Sequence, residues 1–191
     1  MQRYAALGFV FCLGWPGNAQ GLSSDPSHPV TTRTPDPSCD SMASNRPGLS
    51  KEDFVRAVVS QTVCRGSFIM SDGVHGWTFI PISNEDREAV LALGQTSIPT
   101  LALIADNYDS TFAQLIAVRL IADVGGSDAV QPLVRALDWK MWQPTRMAAL
   151  YGIGKEPKEV ANPILTLMKS DADPKIVEIA TYLLKDLQLG T

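Results

Sequence analysis

At 191 residues, 45% of them apolar and 19% charged, the chain can pack one domain with tails, which excludes wholesale disorder. Sixteen Lys and Arg against twenty Asp and Glu give a formal charge of −4, which argues against a basic nucleic-acid face. No uninterrupted apolar run reaches the roughly 18 residues of a membrane-spanning helix, and two His with three Cys leave little for a metal cluster.

Residues 1–19 read as a secretory signal. Arg3 supplies a basic start, residues 4–15 are almost wholly apolar, and Pro16, Gly17 and Asn18 break the stretch before the small Ala19. A lipidated Cys12 is disfavoured, because bulky Phe11 precedes it and it sits inside the apolar stretch. Cleavage after Ala19 removes Arg3 and leaves a charge of −5. The expected location is therefore periplasmic or secreted. Two cysteines then remain, Cys39 and Cys64, in an oxidising compartment. A bridge between them would enclose 24 residues and contribute about 3–4 kcal/mol on the chain-entropy model. The alternative is two unpaired thiols, with Cys64 as small core filler. A catalytic thiol would need a His partner, and only His28 and His75 exist.

Residues 20–50 are rich in Ser, Pro, Thr and Asp and cannot bury enough apolar surface to offset their ordering entropy, so they read as a disordered linker. Residues 51–82 read as a small N-terminal cap. Ser50 with Asp53 resembles a capping box and opens a helix of about 14 residues ending near Cys64, with a stripe of Phe54, Val55, Val58, Val59 and Thr62. Asp72-Gly73 between two apolar runs then predicts a β-hairpin extending to Ile82.

From Ser83 to the end only helical patterning is found, and it repeats. An aliphatic-x-x-aliphatic-Gly motif occurs as Val90, Leu93, Gly94, as Ile121, Val124, Gly125 and as Leu150, Ile153, Gly154; Leu184 and Leu187 follow with Gln188 in place of Gly. The motif starts lie 31, 29 and 34 residues apart. Pro99, Pro132 and Pro163, at intervals of 33 and 31, are each expected in the first turn of an aliphatic helix, where a missing amide hydrogen costs little. Two motifs sharing one period predict a helical repeat over residues 83–191.

These residues resemble the HEAT-like repeats of the short type also found in phycobilisome lyases, over roughly residues 83–187. The terminal helix, opened by Asp173 and Pro174 and running through Ile176, Val177 and Ala180 to Leu184, is similar to that family's Asp-Pro opening. Glu178 stands where the family usually carries Arg, and the position of Ala117 and Ala180 is Arg146 in the middle repeat and Asp86 in the first. The resemblance implies a mainly α fold: a short α-solenoid of helical hairpins with a helix and β-hairpin as its N-terminal cap. Stacked pairs would bury Ile121, Val124, Leu150, Ile153, Leu133, Leu137, Ile164 and Leu167.

The chemistry-bearing groups are sparse. Asp171, Asp173 and Asp186 lack the tight spacing and Gly turn of a calcium loop, and Asp171 or Asp173 reads as a helix cap. Glu85, Asp86 and Glu88 suit the positive end of a helix dipole. No strand precedes Gly125-Gly126 or Gly152 and Gly154, so neither is a phosphate loop. No catalytic residue, metal or cofactor is assigned. The expectation is an exported, non-catalytic module that binds another protein through the concave face, with no nucleic acid and no membrane span in the mature chain. A lyase-like or accessory enzyme acting on a small ligand, and a periplasmic inhibitor or immunity-type protein, are the competing readings. Second helices expected at 99–107, 128–137 and 163–169 would present Thr100, Gln131, Arg135, Asn162, Thr166 and Lys169, with Trp139 and Trp142 as rim anchors. Trp77 on the hairpin is the alternative contact.

Overall fold

The computed structural model describes residues 48–64, 82–107 and 110–189. The signal segment, Cys39, His75, Trp77 and all but the last residue of the expected hairpin lie outside the described residues. Of those described, 79% are helical and none forms a strand. The chain is mainly α.

Helix α1 spans Lys51–Cys64. The Asp53 amide donates to Ser50 Oγ at 3.1 Å, while that hydroxyl donates to Asp53 Oδ2 at 2.7 Å. The capping box is thus closed side chain to side chain, because Asp is too short to reach back to the Ser50 amide. Val55, Val58 and Val59 form its buried face. Cys64, its last residue, is disulfide-bonded, and its partner lies outside the described residues.

Helix α2 is Asn84–Leu93, capped by Ser83, whose Oγ accepts from the Asp86 amide at 3.1 Å. A 3₁₀ turn, Gly94–Ser97, leads into α3, Ile98–Ala105. Together residues 84–105 are long and apolar enough, by length and composition, to cross a membrane, although polar and charged residues interrupt their apolar run. Here the run is interrupted by the 3₁₀ turn that starts at Gly94, and Val90, Ile98 and Leu101 join the common core.

Ser110 caps α4, Thr111–Val124, which stops where Gly125 and Gly126 take φ of 62° and 83°, a left-handed pair that costs glycine little. Helices α5, Ser127–Arg135, and α6, Gln143–Ile153, follow. Next come α7, Lys158–Met168, and α8, Pro174–Leu189. Asp173 caps α8 by accepting the Lys175 amide at 2.9 Å, the role expected of Asp171 or Asp173.

Helix α4 is the hub. It packs on α6 and α3 most extensively and also touches α1, α2 and α5, while α6 carries α8 and α7 lies on α8. Leu101, Leu120, Ile121, Leu133, Leu150, Ile153, Leu165 and Ile176 are fully buried in one continuous cluster, each contributing roughly 1.5–3 kcal/mol. α6 approaches its neighbours closely at Gly152, where a Cβ would lie 2.7 Å from Ala122 Cβ and 2.8 Å from Leu133 Cδ1.

Several expectations are corrected. Pro132 and Pro163 do not open their helices; each is the sixth residue of one. The carbonyls that lose their donors belong to the exposed Asp128 and Glu159, where water can replace the bond. The inward stripe of α7 runs through Ala161 and Leu165 in place of the expected Ile164 and Leu167, and Leu167 is 67% exposed. Val124 and Ile164 are only partly buried. Thr100 is buried, not solvent-facing.

Candidate functional site

Helices α3, α5 and α7 each bury one stripe and leave the other free. In α3, Ile98, Leu101 and Ala105 face the core and Leu103 is exposed; in α5, Ala129 and Leu133 face inward and Gln131, Val134 and Arg135 outward. In α7, Asn162, Thr166, Leu167 and Lys169 at its end are exposed. Sequence patterning placed these polar members here, wrongly included Thr100, and missed the apolar ones. Leu103, Val134 and Leu167 are 59%, 37% and 67% exposed, and they recur at intervals of 31 and 33 residues, near the period of the Gly motifs.

Arg135 is not a free cation. Its Nε and Nη2 donate to Asp106 Oδ1 and Oδ2 at 3.2 and 3.0 Å, a bidentate clamp between the end of α3 and the end of α5. Both side chains are about half exposed, so the clamp can open to a ligand at small cost.

The two tryptophans of the 136–142 connection differ. Trp142 packs edge-on against Phe112, ring centroids 5.2 Å apart, so its role is packing between α4 and α6. Trp139 is 77% exposed, with Lys140 Nζ 5.8 Å from its ring centre, and Asp138 Oδ1 accepting the Lys140 amide fixes the turn that presents it. Of the two rim anchors expected, Trp139 alone stands in solvent.

Beneath this surface, polar contacts between helices and their connections fix the packing. Arg146, 4% exposed, donates through Nε to the Leu137 carbonyl at 3.0 Å and through Nη2 to Asp171. It ties two connections together from within the core. Burial works to raise the Asp171 pKa, and the hydrogen bonds from Arg146 and the Asp173 amide outweigh it, holding the carboxyl below its ordinary value. At the other end of the helical pairs, Asp123 accepts from Arg87 at 2.8 Å and Lys155 at 3.0 Å. Burial opposes ionisation of Asp123, but these two cations prevail and its pKa is lowered. Glu156, buried, accepts the Gly126 amide at 2.9 Å, and Gln95 donates to the Gly125 carbonyl.

A groove of about 260 Å³ lies between α1 and α3, lined by Arg56, Ser60, Leu103, Asn107 and Ser110 among others, and a second of about 340 Å³ lies between α7 and α8. No group of three His, Cys, Asp or Glu able to hold a metal occurs among the described residues.

The chain matches no family model, no curated protein and no solved structure.

Proposed function

We propose that this chain is an exported, non-catalytic interaction module: a short HEAT-like α-solenoid that grips another protein through the surface of α3, α5 and α7. The observation that carries the reading is the recurrence of one exposed aliphatic side chain per second helix, Leu103, Val134 and Leu167. Exposed apolar side chains set in a polar surround are what a partner interface uses. Gln131, Asn162 and the Arg135–Asp106 clamp supply that surround, and Trp139 is an aromatic anchor at its edge. The mix of charges suits a protein better than a phosphate backbone, which would demand clustered Lys and Arg.

Export is part of the same reading. A disulfide at Cys64 belongs to an oxidising compartment, and cleavage after Ala19 leaves Cys39 as the one other cysteine. The proposed bridge is Cys39–Cys64.

The test is affinity recovery of the partner from periplasm and culture medium, identified by mass spectrometry. Wild type should retain a discrete protein, and a Leu103→Asp/Val134→Asp/Leu167→Asp variant with an unchanged melting temperature should lose it. Equal recovery by both would remove the second-helix surface from consideration. A co-purifying small molecule, with no protein, would favour the lyase-like or accessory-enzyme reading.

A further inference from the structure

Helix α1 presents Arg56 and Ser60 to the groove of about 260 Å³ between α1 and α3. Cys64 follows at the same four-residue interval, so the three side chains stand in one row. Side chains on a helix tilt toward its N-terminus, which turns the Cys64 sulfur back along the row toward Ser60. That sulfur is disulfide-bonded, so the chain joined to it is anchored where the row of Arg56 and Ser60 ends. The opposite wall of the groove is α3, whose Leu103 is 59% exposed beside the partly buried Ile104.

The tether dictates a path. With Cys39 as the partner, residues 40–50 must return from Cys64 to the start of α1 at Lys51. The 14 residues of α1 make that distance about 20 Å. The 11 residues of the return reach at most about 40 Å when fully extended, so they run lengthwise beside α1. The core takes the face of Val55, Val58 and Val59, which leaves the side of Arg56 and Ser60, where the groove offers an exposed leucine. Charge order matches this direction. From the Cys39 end the segment reads Asp40, then Met42 and Ala43, then Arg46; from the Cys64 end α1 offers Ser60, Arg56 and Glu52. An antiparallel run sets Asp40 toward Arg56 and Arg46 toward Glu52, with the two apolar residues between them against Leu103. Arg56 and Glu52 meet each other at 3.5 Å with side chains at least about half exposed, a weak pair that yields to new partners at small cost.

We infer that residues 40–47 of this chain, which lie outside the described residues, occupy the α1–α3 groove as a strap with Met42 and Ala43 on Leu103. Cys39–Cys64 pins one end and the Ser50 cap of α1 the other. A segment held at both ends meets the groove at an effective concentration on the order of millimolar, so two small apolar contacts suffice where a free peptide would not bind. The inference rests on the export reading, which supplies the pairing, and it deepens the interaction-module reading. The strap walls the α1 side of Leu103 and leaves the other side, toward α5 packed on α3, to the partner.

The experiment measures how fast dilute hydrogen peroxide converts Met42 to its sulfoxide in the purified, disulfide-intact protein, read by peptide mass spectrometry. The same digest maps the disulfide. Met42 in the folded protein should react about tenfold more slowly than in urea, at a rate independent of protein concentration. Leu103→Asp and Ser60→Arg, both at exposed positions, should keep the melting temperature and bring Met42 to its rate in urea. A folded rate equal to that in urea overturns the inference, and so does protection that survives both variants. Protection that grows with protein concentration also overturns it, since a second copy then covers Met42. The readings fail separately. Cys39–Cys64 in the map with an unprotected Met42 removes the strap and leaves the export and module readings standing. A map that joins Cys64 to Cys12, or leaves Cys39 free, removes the pairing and the strap together, and partner recovery then judges the module by itself.

Discussion

Arg146→Met is the most informative single change. The side chain is 5% exposed and its partner Asp171 12%, so the methionine would keep the hydrophobic stem and delete only the charged head. What remains is a Leu137 carbonyl without its 3.0 Å donor and a largely buried carboxylate whose surviving support is the Asp173 amide at 2.8 Å. Removing one partner of a buried, hydrogen-bonded pair costs about 3–5 kcal/mol, since the other charge stays behind uncompensated. For a domain of this size that lowers the melting temperature by roughly 10–15 °C. Far-UV circular dichroism melts and urea titrations would measure it. Arg146→Met/Asp171→Leu should recover part of the loss, because no orphan charge then remains. The pH dependence has a definite sign. The Asp171 pKa is depressed in the folded state, so its contribution is complete above the unfolded carboxylate value of about 3.9. It fades as pH falls through the lower folded value. Asp171→Asn should flatten that acid limb. A melting temperature for Arg146→Met within the scatter of surface substitutions, about 0.5 kcal/mol, would refute the idea that this pair locks the connections.

Leu150→Asp places an unpaired charge at a site with 0% exposure and should cost several kcal/mol, whereas Arg135→Ala, at a half-exposed pair, should change stability by at most about 1 kcal/mol; chemical denaturation distinguishes them. Gly152→Ala gains helix propensity of up to about 1 kcal/mol but drives a Cβ to 2.7 Å from Ala122 Cβ, so overpacking of about 1–3 kcal/mol should leave it net destabilised in the same assay. Intact mass of the exported protein should show residues 1–19 removed, and two hydrogens fewer than the reduced form if Cys39 pairs with Cys64; a free Cys39 thiol would reject the pairing.

The helical nature of the chain, the start of α1 at Ser50, the acidic first turn of α2 and the stops at Gly94 and Gly125 were legible in the sequence, because caps and left-handed glycines are local. A capping hydroxyl or a φ of 62° at Gly125 is decided within a few residues. What was not legible depended on where a helix begins when no local signal marks it. Pro163 invited a start at the proline, yet its helix begins five residues earlier. Successive residues lie about 100° apart around a helix, so placing the inward stripe on Ile164 and Leu167, where the fold places it on Ala161 and Leu165, put Leu167 in the core.

The buried polar groups illustrate the other limit. Arg146 in a run of core-facing positions looks in the sequence like a departure from the repeat, and only the fold shows that the Leu137 carbonyl and Asp171 converge on it. Its partners come from connections before and after its own helix, a pairing that periodicity within one repeat does not encode. The same holds for Lys169 and Lys185. Each is an ordinary helix-surface lysine in isolation, and they share a groove only because α7 folds back along α8.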